Sequence, residues 1–213
     1  MTKLSKGPKI YLAFVFLILY LPIFYLIFYS FNSGGKMSHF ESFTWEHYAA
    51  VFEDTRLLVI VLNTIIIALF SALISTTIGT LGALSIYFMK NKKARETVLS
   101  LNNILIVSPD VIIGASFLIL FTMLGVKLGF ASVLISHAAF SIPIVVIMIL
   151  PKLFEMNTSL IDAALDLGAT RKDVLKRVIL PYIQPGIFAG FFLALTYSLA
   201  DFAVTFCVTG NGF

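Results

Sequence analysis

The chain has 213 residues, of which 59% are hydrophobic and 12% are charged, and its formal net charge is +4 at pH 7. A soluble domain of this length cannot bury so large an apolar fraction, so the composition excludes a soluble globular protein and indicates a membrane protein. The single cysteine, Cys207, excludes an internal disulfide and a cysteine-based metal site.

Five apolar runs are each long enough to cross a bilayer, which takes roughly 20 residues. They lie within residues 10–31, 57–89, 98–126, 128–150 and 183–206. The second run is longer than one span needs, so we expect tilt or an interfacial lead-in. The first run follows three lysines, but it is too long for a signal peptide and no small-residue cleavage site follows it, which favours an uncleaved anchor.

Basic residues are distributed unevenly along the chain, and Lys and Arg are retained on the cytoplasmic side of a membrane. Twelve of the fifteen lie before the first run, after the second and after the fourth: Lys3, Lys6, Lys9, Lys90, Lys92, Lys93, Arg95, Lys152, Arg171, Lys172, Lys176 and Arg177. This predicts a multi-pass protein of the cell membrane with a cytoplasmic N-terminus, and it explains the net charge without nucleic-acid binding. Five spans then place the C-terminus outside, so either the span count is odd or a further helix is missing.

The outer segment after the first run, residues 32–56, contains TWEHYAAVF. We expect a short surface helix here, with Thr44 as its cap and Trp45 and Tyr48 at headgroup level. We interpret this segment as a surface lid rather than a substrate contact.

Small residues recur every four positions in two of the runs. One stripe is Ser71, Ser75, Gly79 and Ala83, and the other is Gly186, Gly190, Ala194 and Ser198. Because close backbone approach drives helix association in lipid, these stripes predict a tightly packed bundle, within the chain or against a partner.

Two acids, Asp110 and Asp201, lie inside apolar runs, where a charge costs several kcal/mol. Ser108-Pro109-Asp110 has a cap, a proline suited to the first helical position and an acid at the positive helix end, so we expect the third span to be interrupted there. At 100° per residue Asp201 lies about 60° from Gly186, on the side of the small stripe, and should point into the bundle. A helix cap or a buried hydrogen-bond partner accounts for these acids as well as a place on a substrate pathway does.

His137, in the fourth run, is interpreted as a packed, hydrogen-bonded side chain rather than a proton relay.

A polar segment, SLIDAALDLGATRKDVLKRVILP, separates the fourth and fifth runs. Capping boxes at Ser159 with Asp162 and at Thr170 with Asp173 predict two short helices. Gly168 should end the first helix in a left-handed conformation, and Pro181 should stop the second. Such a hairpin suits either docking into a groove of a cytoplasmic protein or lying on the headgroups as an amphipathic anchor.

The spacing within this segment resembles the EAA loop of ABC importer permeases, E-A-A-x3-G-x9-I-x-L-P. Asp162 stands for Glu and Val178 for Ile, and both changes are conservative. The resemblance implies that residues 151–181 form a coupling loop for a cytoplasmic ABC ATPase dimer. Its contact residues would be those of the motif: Asp162, Ala163, Ala164, Gly168, Val178, Leu180 and Pro181.

Residues 62–88, 108–121 and 198–210 are similar to permeases of spermidine/putrescine importers of the PotC type. The resemblance implies an all-α polytopic, MetI-like bundle forming one permease domain over residues 1–213, with five helices present of an expected six and the C-terminal helix absent. It implies as partners a second homologous permease, an extracytoplasmic substrate-binding protein, the lipid bilayer and a polyamine. Ala200 stands where this family often has a second acid.

The expected function is therefore a polyamine passage, with Asp110 and Asp201 compensating ammonium groups for lost water and aromatic faces assisting. The sequence contains no G-x-x-x-x-G-K-[ST] loop, so ATP would be bound by the partner. It shows no nucleophile with a base and no metal cluster, so we expect no catalytic, cofactor or metal residues and no enzyme. The alternatives are import of another solute, such as ferric ion, sulfate or an organic cation, or an ion-coupled secondary transporter.

Overall fold

A computed structural model describes residues 6–210 of the chain. Within that range it contains ten α-helices and no strand beyond an isolated bridge between Asn32 and Phe43. The helices are α1 Lys6–Tyr29, α2 Glu46–Glu53, α3 Thr55–Phe88, α4 Lys92–Val107, α5 Asp110–Met123, α6 Phe130–Glu155, α7 Ser159–Asp166, α8 Arg171–Val174, α9 Leu180–Ala200 and α10 Ala203–Val208, with a π-helical segment at Leu175–Ile179 between α8 and α9.

Within residues 6–210, four helical runs are long and apolar enough to cross a membrane: α1, α3, α6 and the run Arg171–Ala200. Helices α4 and α5 pass the same test only as a pair, and they are bent by 107° at the break between them. The predicted spans are thus confirmed in four cases, and the third is a bent pair rather than a straight helix. Part of the predicted orientation depends on Lys3, which lies outside the described residues. The last three residues of the chain also lie outside them.

The chain divides into two units at the boundary between Val59 and Ile60. In the first unit α1 is apolar and exposed along its length. The short helix expected after it is α2, which begins at Glu46 with Trp45 rather than Thr44 at its N-cap. The Thr44 hydroxyl nevertheless accepts a hydrogen bond from the Glu46 N–H at 3.1 Å.

The second unit is organised around α6, which packs against both α3 and α9. The side chain of Val145 on α6 lies close to both Gly79 of α3 and Gly190 of α9. Both stripes of small residues are buried along their full length, which confirms that they are packing faces within the chain. A side chain as small as alanine at Gly79 would place its Cβ 2.7 Å from the Cβ of Val145, so these backbones approach as closely as glycine allows.

Two expectations about the last helices are wrong. Pro181 does not stop the helix, because α8, the π-helical segment and α9 form one continuous run. Within the π-helical segment the Leu180 N–H bonds to the Leu175 carbonyl, and such local adjustment is how a helix accommodates a proline that lacks an N–H. The fifth run is also not one helix to residue 206, because α9 ends at Ala200 and α10 begins at Ala203.

Candidate functional site

The polar segment between α6 and α9 folds into the expected hairpin, which we call the coupling hairpin (residues 157–181) after the role that the resemblance implies. Residues 151–155 of the expected loop belong to α6 instead. Its first helix, α7, begins at Ser159, but Thr158 occupies the N-cap and the Ser159 N–H donates to Asn157 Oδ1 at 3.0 Å. The predicted capping box of Ser159 with Asp162 is therefore wrong. Asp162 still lies in the first turn, where a carboxylate interacts favourably with the helix end.

The turn of the coupling hairpin is formed by Gly168 as predicted. Its φ is +85°, a conformation that side chains rarely adopt. The Gly168 N–H donates to the Leu165 carbonyl at 2.9 Å, and the Ala169 N–H donates to the Ala164 carbonyl at 3.0 Å, so the last carbonyls of α7 are satisfied.

The second limb of the hairpin begins with the predicted capping box. The Asp173 N–H donates to Thr170 Oγ1 at 3.3 Å, and the Thr170 N–H donates to Asp173 Oδ2 at 3.2 Å. These reciprocal bonds fix where α8 starts. The hairpin therefore enters the long run toward α9 in a defined orientation.

The two faces of α7 differ in exposure. Ile161 and Ala164 are half-buried and pack on the hydrophobic core of the second unit. Asp162, Ala163 and Asp166 are exposed. Leu167, just before the turn, is 89% exposed. The tip thus presents small and acidic groups, and Leu167 is its most exposed large apolar side chain. Sequence reasoning missed Leu167 although it directly precedes the hinge glycine.

The motif residues of the second limb do not lie at the exposed tip. Val178 and Leu180 are half-buried against the same core, and Pro181 is exposed at the start of α9. Ala164, Gly168 and Val178 do come together, since all three line a concavity of about 420 Å³ at the turn. Asp162 and Ala163 face outward from it. The structure therefore separates the motif into an outward tip and an inward support.

Asp110 is the first residue of α5, directly after the 107° bend, so the predicted interruption of the third span is confirmed. The details differ. Pro109 is the N-cap rather than the first helical residue, and Ser108 caps nothing in α5, because its hydroxyl donates back to the Ile104 carbonyl at 2.7 Å. The Asp110 side chain accepts a hydrogen bond from the Tyr197 hydroxyl at 2.8 Å, which connects α5 to α9.

Asp201 lies at the break between α9 and α10, and its side chain is only 3% exposed, so its predicted inward direction is confirmed. Its carboxylate accepts bonds from the N–H groups of Val204 and Thr205, at 3.3 and 2.9 Å, and from the Thr205 hydroxyl at 3.0 Å. The acid therefore caps α10, which explains why the helix breaks here.

His137 on α6 joins this cluster and is buried and hydrogen-bonded, as interpreted. Its Nε2 lies 3.3 Å from Asp201 Oδ2 and 2.9 Å from Thr205 Oγ1, and its Nδ1 lies 2.6 Å from Ser198 Oγ. The Ser71 hydroxyl of α3 donates to Ser198 at 3.1 Å. This polar chain, with a cavity of about 60 Å³ beside it, links α3, α6, α9 and α10.

Metal binding finds no support in this cluster. Across residues 6–210 no three His, Cys, Asp or Glu side chains are grouped so that they could hold a metal ion. Asp110 bonds to Tyr197 and Asp201 to His137, Val204 and Thr205, so the two acids share no hydrogen-bond partner within the described residues.

Comparison with known proteins supports one family. The family described as "Binding-protein-dependent transport system inner membrane component" matches residues 75–213. The spermidine/putrescine transport system permease protein PotC of Escherichia coli K12 is 34% identical over 203 residues, covering 95% of this chain and 76% of that protein. PotC of Haemophilus influenzae is 33% identical, covering 93% and 78%. The putrescine transport system permease protein PotI of Escherichia coli K12 is 30% identical, covering 92% and 72%.

Among solved structures, the MetNI methionine ABC transporter in an inward-facing conformation matches with a TM-score of 0.62. That match has 23% identity and covers 71% of this chain and 74% of the other, so it speaks for the fold alone. It agrees with the expected all-α, MetI-like bundle. The chain is a polytopic membrane protein of the binding-protein-dependent transport system inner membrane component family.

Proposed function

We propose that the chain is a permease subunit of an ATP-driven importer and forms a passage for polyamines together with a second, homologous permease. The observation that carries this proposal is the identity of 30 to 34% with polyamine permeases over more than nine-tenths of the chain. The N-terminus is cytoplasmic in this arrangement. A binding protein delivers spermidine or putrescine from the other side of the membrane.

The coupling hairpin is the proposed contact with a cytoplasmic ABC ATPase dimer. Its tip is compact, and Leu167 offers an apolar anchor beside the acids Asp162 and Asp166. Buried apolar anchors surrounded by polar groups are typical of protein interfaces. Ala163 on the exposed face leaves room for close approach, and Gly168 gives the turn its shape.

Force reaches the passage through the continuous helical run from Arg171 to Ala200. The hairpin is fixed to that run by the Thr170 capping box, and the run ends at Asp201. Closure of the ATPase around the hairpin therefore moves the residue at which α9 breaks. This arrangement needs no ATP site in the chain itself.

Asp110 is the proposed substrate-facing acid of the passage. It is exposed in the single chain, and the Tyr197 hydroxyl holds its carboxylate in one orientation. A fixed carboxylate compensates an ammonium group for part of its lost hydration. Phe202 and Phe206, stacked with ring centroids 5.6 Å apart and largely exposed, offer cation–π faces.

Asp201 is the second proposed pathway acid, acting from inside the bundle. It lines the cavity of about 60 Å³, which exceeds the space that one water molecule needs. A water or an ammonium group in that cavity would face Asp201, Ser198 and Thr205.

The test is uptake of labelled spermidine, supplied together with the binding protein, into proteoliposomes that contain the chain, its partner permease and the ATPase. We expect uptake only with ATP on the ATPase side. Asp110→Asn should raise the KM for spermidine roughly fivefold, as expected for one exposed charge pair. Glu96→Gln, which removes an exposed acid of α4 that is paired with Lys92, is the matched control and should leave the KM unchanged. Uptake driven by an ion gradient without the ATPase would contradict the proposal, and preferred uptake of sulfate or ferric ion would refute the polyamine substrate.

A further inference from the structure

A groove lies where the end of α3 meets the coupling hairpin. It has a volume of about 520 Å³. Its floor is apolar, with Phe88 from α3, Ile161 from α7 and Leu175 and Ile179 from the π-helical segment, and two cations, Lys90 and Arg171, stand in its wall. The residues that line it include no acid. An apolar floor beside two cations fits an amphiphile with a negative head.

The two cations of the groove have no internal counter-charge. Across the part of the chain that the structure describes, neither Lys90 nor Arg171 forms an ion pair. Other cations nearby do form one: Lys92 is paired with Glu96, and Arg177 with Asp173. Two unpaired like charges at one groove repel each other, so an anion bound between them is favoured.

The position of the groove along α3 indicates the level of the lipid headgroups. Phe88 is the last residue of a helix that is long enough to span the membrane. Beyond it the guanidinium carbon of Arg95 lies 6.0 Å from the centroid of the Phe154 ring, and Tyr87 packs on the same ring. Aromatic and basic residues at a helix end are typical of the membrane interface.

We infer that this groove binds an anionic phospholipid, with the phosphate between Lys90 and Arg171 and the start of an acyl chain over Phe88, Leu175 and Ile179. Basic pockets between transmembrane helices are known to take such headgroups. A lipid bound here connects the end of α3 to the coupling hairpin and restricts the hairpin's motion. The binding does not depend on the proposed transport function, whereas its effect on coupling does.

The test measures lipid retained by the full chain after extraction from vesicles of phosphatidylcholine with or without phosphatidylglycerol, read by native mass spectrometry. We expect retained phosphatidylglycerol on the wild type. Retention should be roughly 25-fold weaker for the double variant Lys90→Gln/Arg171→Gln, since each surface cation contributes about a factor of five. The control double variant Lys92→Gln/Lys93→Gln removes the same charge outside the groove lining and should retain lipid like the wild type.

Two further variants keep the test decisive. Lys90→Arg/Arg171→Lys preserves both charges and should retain lipid. Lys90→Gln alone changes an exposed side chain outside any helix, so it gives a reading of roughly fivefold even if the double variant does not insert.

Three results would overturn the inference. Equal loss of retained lipid in the groove variant and the control variant would mean that the lipid is held by diffuse surface charge and not by the groove. Displacement of the lipid by millimolar inorganic phosphate would mean an anion site without an acyl chain. Displacement by the purified ATPase would assign the groove to that protein.

Discussion

The side chain of Asp201 has two roles at one position. It caps α10 through the N–H groups of Val204 and Thr205, and it faces His137 within the buried cluster. The first role uses only acceptor oxygens, whereas the second responds to charge. An amide at this position therefore keeps only part of the first role, because the two N–H groups bond to different oxygens, and it weakens the second.

We expect Asp201→Ala to destabilise the folded chain by about 1–3 kcal/mol, because it removes a helix cap and one of the buried partners of His137. Asp201→Asn should be destabilised less, since its one amide oxygen still accepts one of the two N–H bonds, which go to different carboxylate oxygens in the wild type. The measurement is thermal unfolding in detergent. Unfolding midpoints that are the same for both variants and the wild type would show that the cluster contributes nothing to the fold.

Gly168 offers a second test at this scale, since its φ is +85° but open space surrounds it. A side chain at this position is disfavoured by the left-handed backbone conformation and not by contacts with neighbouring residues. Gly168→Val should cost about 1–2 kcal/mol in the left-handed conformation, and Gly168→Asn should cost less because Asn adopts that conformation more readily.

The Gly168 variants are compared by how much ATPase co-purifies with each. We expect the wild type to retain most ATPase, Gly168→Asn an intermediate amount and Gly168→Val the least, with membrane insertion equal in all three. If Val retained as much ATPase as Gly, the shape of the turn would not matter for docking.

At the scale of helices, Gly79 and Gly82 on α3 provide a test position and its control. A Cβ added at Gly79 would lie 2.7 Å from the Cβ of Val145, whereas at Gly82 the nearest atom, in Val146, is 3.6 Å away. Gly79→Ala should therefore destabilise by about 1–3 kcal/mol through overpacking. Gly82→Ala should be neutral or stabilising, because alanine favours helices.

The double variant Gly79→Ala/Val145→Ala checks the cause of the Gly79 effect. It should regain part of the lost stability, since the Cγ1 methyl that would lie 2.7 Å from the new Cβ is gone while the Cβ of residue 145 stays. Strict additivity of the two single effects in detergent unfolding would show that the two positions do not interact.

Element by element, the sequence predicted features that depend on local chemistry. The capping box at Thr170, the turn at Gly168 and the interruption before Asp110 follow from residue types at fixed spacing. The inward direction of Asp201 followed from helical periodicity. The predictions of where helices end were wrong where the end depends on which backbone groups form hydrogen bonds in the folded chain. A π-helical segment accommodates Pro181, and the residues of that segment carry no sequence pattern that predicts it. Asp201 ends α9 because its carboxylate oxygens accept hydrogen bonds from N–H groups of the residues that follow it.

For the whole molecule, the orientation in the membrane is the main testable property. In a Cys207→Ser background, Ala163→Cys places a thiol on the exposed tip of the coupling hairpin, and Ser38→Cys places one on the exposed segment after α1. A membrane-impermeant thiol reagent added to intact cells should label position 38 alone. Inverted vesicles should give the reverse, and labelling of position 163 in intact cells would contradict the proposed ATPase contact.

The Val145 side chain of α6 lies against both Gly79 of α3 and Gly190 of α9, because a Cβ added at these glycines would lie 2.7 and 3.2 Å from it. A shift of one of these helices past another would have to displace that side chain from close packing. We therefore expect the three helices to move together. Opening of the proposed passage should then be absorbed at the two interruptions, where the helix pair turns by 107° ahead of Asp110 and where the chain restarts after Asp201.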